Sequence, residues 1–60
     1  MKTTRQLLLD HIRKTKSAEG EFGKDNWHSN YTVYEHGIVW FGRKIWKVPP
    51  DIMALLFGTS

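Results

Sequence analysis

Aromatic and basic residues are interleaved near the middle of the chain in a pattern that suits contact with unpaired bases and phosphates. Tyr34, Phe41 and Trp46 fall on one predicted face of a β-sheet, with Lys44 on that face and Arg43 in the adjoining turn. Aromatic rings stack on bases for about 1–3 kcal/mol each, while lysine and arginine hold the backbone. The alternative is that the chain's own C-terminal apolar segment covers these rings as part of the core.

Acid–base groups are a weaker indication of chemistry. Asp25 and His28 can approach each other within a loop, whereas Glu35 and His36 are strand neighbours that point to opposite faces. A small ribonuclease that uses His28 is therefore the least favoured hypothesis. The three histidines lack the paired spacing of a zinc site, and the chain has no cysteine. We predict a non-enzymatic protein with no cofactor and no metal site.

The positive charge of the chain, +3 overall, is concentrated in two places. Residues 1–16 carry Lys2, Arg5, Arg13, Lys14 and Lys16 against Asp10, and the meander carries Arg43, Lys44 and Lys47 against Glu35. The cations that we expect to contact phosphate are Arg13, Lys14 and Lys16, the first basic patch, and Arg43 and Lys44, the second. Between them, the segment 17–30 carries more carboxylates than cations. This distribution favours an anionic partner, with solubility as the alternative explanation of the same charges.

The N-terminal segment 3–16 predicts an amphipathic helix. Leu8, Leu9 and Ile12 recur at the spacing of a buried helical stripe. Thr3 or Thr4 can serve as the N-cap, and we expect no capping box behind either residue. The cations of the last turn also interact favourably with the helix dipole, which explains them without a ligand.

A turn-rich segment, 17–30, follows the helix. Gly20, Gly23 and several Asp, Asn and Ser residues show no hydrophobic period, so we predict a long loop. Phe22 and Trp27 are large aromatic residues that can anchor such a loop to the core.

Residues 31–48 predict a three-stranded antiparallel meander. Two-residue loops at His36-Gly37 and Gly42-Arg43 separate runs of aromatic and β-branched residues. With these loops, Val33 pairs with Trp40. One face then holds Tyr31, Val33, Glu35, Ile38, Trp40, Ile45 and Lys47, and the other holds Thr32, Tyr34, His36, Val39, Phe41, Lys44, Trp46 and Val48. We expect the first face to pack on the N-terminal helix and the second to serve recognition.

The last predicted element is a short helix over 50–57. Proline is well tolerated in the first turn of a helix, where Pro50 stands, and Asp51 is favoured there by the helix dipole. The helix is apolar nearly all round, so it must cover the second sheet face or meet its own copy in a homodimer. The predicted fold is α+β, in the order helix, three strands, helix, as a single domain 1–60.

These observations predict a small cytoplasmic binding module. No run of residues approaches the apolar length of a membrane span. Contact with DNA or RNA through the basic and aromatic residues is the favoured function. The alternative is an adaptor or inhibitor, of the kind that phages and other mobile elements encode, which binds a target protein through apolar surface.

Overall fold

The computed structural model describes residues 2–58 and shows an α+β fold with four strands. The elements are α1 (Thr4–Thr15), β1 (Glu19–Phe22), β2 (Ser29–Tyr34), β3 (Ile38–Phe41), β4 (Lys44–Lys47) and α2 (Pro50–Phe57). The strands form one antiparallel sheet in the order β1-β2-β3-β4. The α+β class and both helices are confirmed, whereas the prediction of three strands was wrong. Residues 1, 59 and 60 of the predicted domain lie outside the described residues.

The additional strand, β1, comes from the segment that was predicted to be a loop. It pairs with β2, placing Gly20 opposite Tyr31 and Phe22 opposite Ser29. A Cβ atom on Gly20 would lie 3.3 Å from the Tyr31 hydroxyl oxygen, so the glycine leaves room for that ring. Gly20 and Phe22 are the two β1 residues on the same side of the sheet as buried Tyr31. Because one of these two positions is a glycine, β1 lacks the alternation of large apolar and polar residues that would predict a strand.

Helix α1 begins with a complete capping box. The Gln6 amide donates to the Thr3 hydroxyl oxygen at 3.2 Å, and the Thr3 amide donates to Gln6 Oε1 at 2.9 Å. The expectation that no capping box would form was wrong, since glutamine at the third helical position completes the motif as glutamate does. The predicted buried stripe of Leu8, Leu9 and Ile12 is confirmed.

The pairing of β2 with β3 differs by one residue from the predicted register. Val33 lies opposite Val39, and Tyr34 lies opposite Ile38. The connection therefore contains three residues, 35–37, rather than two. The β3–β4 register is as predicted, with Phe41 opposite Lys44. Because side chains alternate between faces, the shift of one residue exchanges the faces of β2 relative to those of β3 and β4.

Both helices cover the same face of the sheet. Tyr31, Val33, Val39 and Phe41 are buried there with the α1 stripe and with Ile52 of α2. The opposite face carries neither helix, and we call it the open face. It comprises Thr32, Tyr34, Ile38, Trp40, Ile45 and Lys47, with Glu19, Glu21 and Asn30 toward β1.

Helix α2 uses most of its apolar surface within the chain. Ile52 is fully buried, and Met53 and Leu56 pack against the same core. Leu55 and Phe57 point outward, so a homodimer through this helix has chiefly these two side chains to use. Within residues 2–58, neither helix has the length and apolar composition that crossing a bilayer requires.

Candidate nucleic-acid interface

The three aromatic residues of the predicted recognition surface do not share a face. Phe41 is buried on the helix-covered face, where its ring stacks with that of half-buried Trp46 at a centroid distance of 6.1 Å. Tyr34 is exposed on the open face. The predicted grouping of these rings is therefore wrong, and its cause is the shifted β2–β3 register.

Arg43 and Lys44 line a cleft at one end of the sheet, which we call the hairpin cleft. It has a volume of about 340 Å³ and lies between the start of α1, the β1–β2 loop and the β3–β4 turn. The residues around it are Thr4, Trp27, His28, Ser29, Phe41, Gly42, Arg43 and Lys44. Over residues 2–58, no carboxylate side chain lines this cleft, so its charged lining is entirely cationic.

Two glycines allow the loops of the hairpin cleft to approach each other. Gly42 has a φ of +60°, and a Cβ atom there would lie 3.0 Å from the Ser29 hydroxyl oxygen. Gly23 has a φ of +137°, and a Cβ atom would lie 2.4 Å from the His28 Cα. Side chains are strained at such φ values, so glycine sets the shape of both turns.

Trp27 forms part of the cleft wall and is held by the core behind it. Its indole packs edge-on against Phe22 at 5.9 Å, and the Phe22 ring lies 6.1 Å from that of Phe41. The Trp27 amide also donates to the Lys24 carbonyl oxygen at 3.1 Å, which closes the β1–β2 loop. Trp27 is partly buried and is one of the residues that line the cleft.

The first basic patch lies apart from the hairpin cleft. Arg13 pairs with Asp10 and with Asp51 of α2, each at 3.1 Å, so its charge is balanced within the chain. Lys16 follows Thr4, which lines the cleft, by 12 residues. At 1.5 Å per residue, they are about 18 Å apart along α1. The structure therefore does not bring Lys14 and Lys16 together with Arg43 and Lys44.

Asp10 is the centre of a small ion-pair network on α1. The hydrogen bond from Lys2 lowers the pKa of this carboxyl group, and the positive charges of Lys2 and Arg13 act in the same direction. Partial desolvation opposes them. The network lies at the surface, where it ties the residues before α1 to the helix.

The histidines have separate environments. His11 packs on Phe22 and Tyr31, with ring centroids 4.8 and 5.7 Å away, and His36 lies 5.7 Å from the ring of Tyr34. His28 is exposed at the hairpin cleft. In the part of the chain that the structure describes, no three His, Asp or Glu side chains are grouped as a metal ion would require.

The residues predicted from the sequence include Arg43 and Lys44, which line the cleft, but not the other residues that complete it. Trp27 and His28 come from a segment interpreted as an anchored loop, and Ser29 precedes the predicted meander. The available signal was the pair of glycines, Gly23 and Gly42, which permit tight turns near large aromatic residues.

Comparison with protein-family models, with curated proteins and with solved structures finds no match to this chain.

Proposed function

We propose that this protein binds single-stranded nucleic acid and that the hairpin cleft receives one nucleotide. The observation that carries the proposal is the combination of Arg43, Lys44 and His28 with the indole of Trp27 around one cavity. Cations attract and position phosphate groups, and an aromatic wall stacks on an unpaired base. Neither the cations nor the aromatic ring alone distinguishes nucleic acid from other anions, but their presence around one cavity favours a nucleotide.

The dimensions of the hairpin cleft support a single nucleotide rather than a duplex. Its volume of about 340 Å³ is at the lower end of the range of about 300–1,000 Å³ for small-ligand sites. Base pairs inside a helix are stacked on one another, so only an unpaired base can reach Trp27. Thr4 and Ser29 line the same cleft, and a hydroxyl group is a suitable donor to phosphate or sugar oxygens.

The remaining predicted contacts have different weights in this proposal. Lys14 and Lys16 are exposed but lie about 15 and about 18 Å from Thr4 along α1, so they contribute long-range attraction rather than contact with that nucleotide. Arg13 is engaged with two carboxylates, and Phe41 supports the cleft from the core. Tyr34 faces the other side of the sheet and is not part of the site.

A protein-binding function is the second candidate, and the open face favours it. Tyr34, Trp40 and Ile45 are each more than 40% exposed on that face. Apolar side chains in such a group are typical of protein interfaces. The hairpin cleft lies toward the helix-covered side, so the two surfaces do not compete for the same residues.

The decisive experiment is a salt-dependent titration of fluorescently labelled single-stranded DNA and RNA oligonucleotides, followed by anisotropy. The logarithm of affinity falls with the logarithm of salt by about 0.7 per phosphate contact for single strands. Loss of both cations in the Arg43→Ala/Lys44→Ala variant should therefore reduce that slope by about 1.4. Trp27→Ala should weaken binding by about 5- to 150-fold, equivalent to about 1–3 kcal/mol, with little change in slope.

A matched control removes the same charge elsewhere. The Lys14→Ala/Lys16→Ala variant has the same net charge as the cleft variant but an intact hairpin cleft, and it should retain most of the affinity. Circular dichroism would establish that each variant is folded. Equal losses in the two double variants would refute the cleft as the site, and the absence of binding at low salt would refute nucleic-acid binding itself.

A further inference from the structure

The open face carries large aromatic and aliphatic side chains that are exposed. Tyr34, Trp40 and Ile45 are exposed by 41%, 42% and 49%, respectively. They are neighbours, because Trp40 pairs with Ile45 across β3 and β4, and Tyr34 pairs with Ile38 next to them. Neither α1 nor α2 covers these side chains, since both helices pack on the other face.

The chemistry of the open face does not match that of nucleic acid. Ile38 and Ile45 have no π surface on which a base could stack. Glu19 and Glu21 project from β1 on the same side and would repel phosphate groups. The aliphatic and aromatic mixture is instead that of the interior of a two-sheet sandwich.

Charge is distributed unequally between the two edges of the open face. The β1 edge carries Glu19 and Glu21, whereas the β4 edge carries Lys47. Arg5 adds a second cation at the β4 edge, where its Nη2 donates to the Lys47 carbonyl oxygen at 3.3 Å. One edge is therefore acidic and the other basic, with the apolar residues between them.

We propose that the open face is a dimer interface that packs against the open face of a second copy of this chain. A two-fold axis parallel to the strands places β1 of one copy over β4 of its partner, because the rotation exchanges the two edges. Glu19 of each copy then lies over β4 of the other, at the level of Ile45 and two residues from Lys47. Trp40, on the inner strand β3, lies over β2 of the other copy near the centre. An axis perpendicular to the strands within the interface would place β1 over β1, with carboxylates facing carboxylates.

The area of the open face predicts a weak dimer. Strands about 4.8 Å apart and four to six residues long give a sheet footprint of roughly 300 Å². A whole aromatic side chain has an area of about 150–250 Å². At the exposed fractions of Tyr34, Trp40 and Ile45, these three side chains together offer roughly 280 Å² of accessible area to a partner. Two copies therefore bury roughly 600 Å² in total, at the low end of the range below about 1,200 Å² in which weak and transient interfaces fall. We expect a dissociation constant for the dimer in the micromolar range or higher.

Sedimentation equilibrium of the isolated protein, from about 1 µM to about 1 mM and without nucleic acid, tests the proposal. The expected result is a concentration-dependent monomer–dimer equilibrium. Trp40→Lys should weaken the dimer by at least tenfold, because Trp40 lies on the inner strand β3 and the change places a cation near the centre of the interface. Lys14→Glu, on the helix-covered side, should leave the dimer unchanged apart from the small effect of net charge.

A charge exchange tests the orientation of the two copies. Glu19→Lys and Lys47→Glu should each weaken the dimer severalfold, and the double variant should recover most of the loss. Both side chains are exposed, so neither change disturbs the core. Failure of the double variant to recover would overturn the proposed two-fold axis.

Dilution of the unmodified protein, followed by NMR, provides a test that needs no variant. The indole N–H resonance of Trp40 should shift with concentration more than those of Trp27 and Trp46. A protein that stays monomeric up to about 1 mM would overturn the proposal and leave the open face to another macromolecule. Because the hairpin cleft is not involved, this outcome is distinguishable from failure of nucleic-acid binding.

Discussion

Truncation of Ile52 to alanine tests whether α2 is an integral part of the fold. Ile52 is the fully buried side chain of α2, with 0% exposure, and it joins the helix to the hydrophobic core. Removal of a buried isoleucine side chain beyond Cβ costs about 2–5 kcal/mol, because the lost transfer free energy adds to the cost of the cavity. Alanine is a better helix former than isoleucine, which offsets a few tenths of a kcal/mol.

That loss is comparable with the stability of the whole domain. A chain of 60 residues without disulfides derives only about 3–5 kcal/mol from its core. We therefore expect Ile52→Ala to be largely unfolded at 25 °C or to unfold at much lower urea concentration than the unmodified protein. Urea titration followed by circular dichroism and tryptophan fluorescence would measure the free energy of unfolding.

Leu55 supplies the matched control within the same helix. It is 43% exposed, so its truncation to alanine removes a side chain that is only partly in contact and leaves no closed cavity. Burial of a leucine side chain contributes about 1.5–3 kcal/mol when complete, so Leu55→Ala should cost about 1 kcal/mol. Equal destabilisation by Ile52→Ala and Leu55→Ala would refute the packing of α2 described above.

Two further predictions concern the cleft and the ion pairs. Gly23→Ala should reshape the β1–β2 loop, because the new Cβ would lie 2.4 Å from the His28 Cα and 2.6 Å from the Trp27 carbonyl oxygen. The control is Gly37→Ala, where a Cβ meets no atom within 4 Å. Nucleic-acid affinity should fall more with Gly23→Ala than with this control. Since Lys2 lowers the Asp10 pKa in the folded protein, the ionised carboxyl group stabilises the fold above about pH 4 and loses this effect as the pH falls through the lowered pKa. Unfolding midpoints should therefore separate the unmodified protein from Asp10→Asn near pH 7 but converge in strong acid, and a constant difference would contradict the pKa shift.

The helices could be predicted from sequence because their signals are local. The recurrence of Leu8, Leu9 and Ile12 depends on the period of the helix itself, and proline at the start of 50–57 acts on its own backbone. The β3–β4 turn was also predictable, since Gly42 supplies the positive φ that a tight turn requires. In each case, the deciding interaction joins residues a few positions apart.

Strand β1 and the β2–β3 register could not be predicted in the same way. Strand β1 has a weak sequence of its own and forms because β2 offers a free edge and Gly20 fits over the Tyr31 ring. Two registers that differ by one residue are compatible with the sequence, and glycine at His36-Gly37 favours the one with the shorter connection. The longer connection prevails in a structure that buries Val33 and Val39 together beneath the helices.

The sequence by itself therefore determined the helices, the β3–β4 hairpin and the presence of adjacent cations at its turn, because these follow from periodicity and backbone chemistry within short segments. Tertiary structure decided which sheet face is covered. It thereby separated Tyr34 from Phe41 and Trp46. It also brought Trp27 and Arg43 to the same cleft. The physical reason is that a β-strand has two equivalent faces. Only packing against elements distant in the chain distinguishes the buried face from the exposed one.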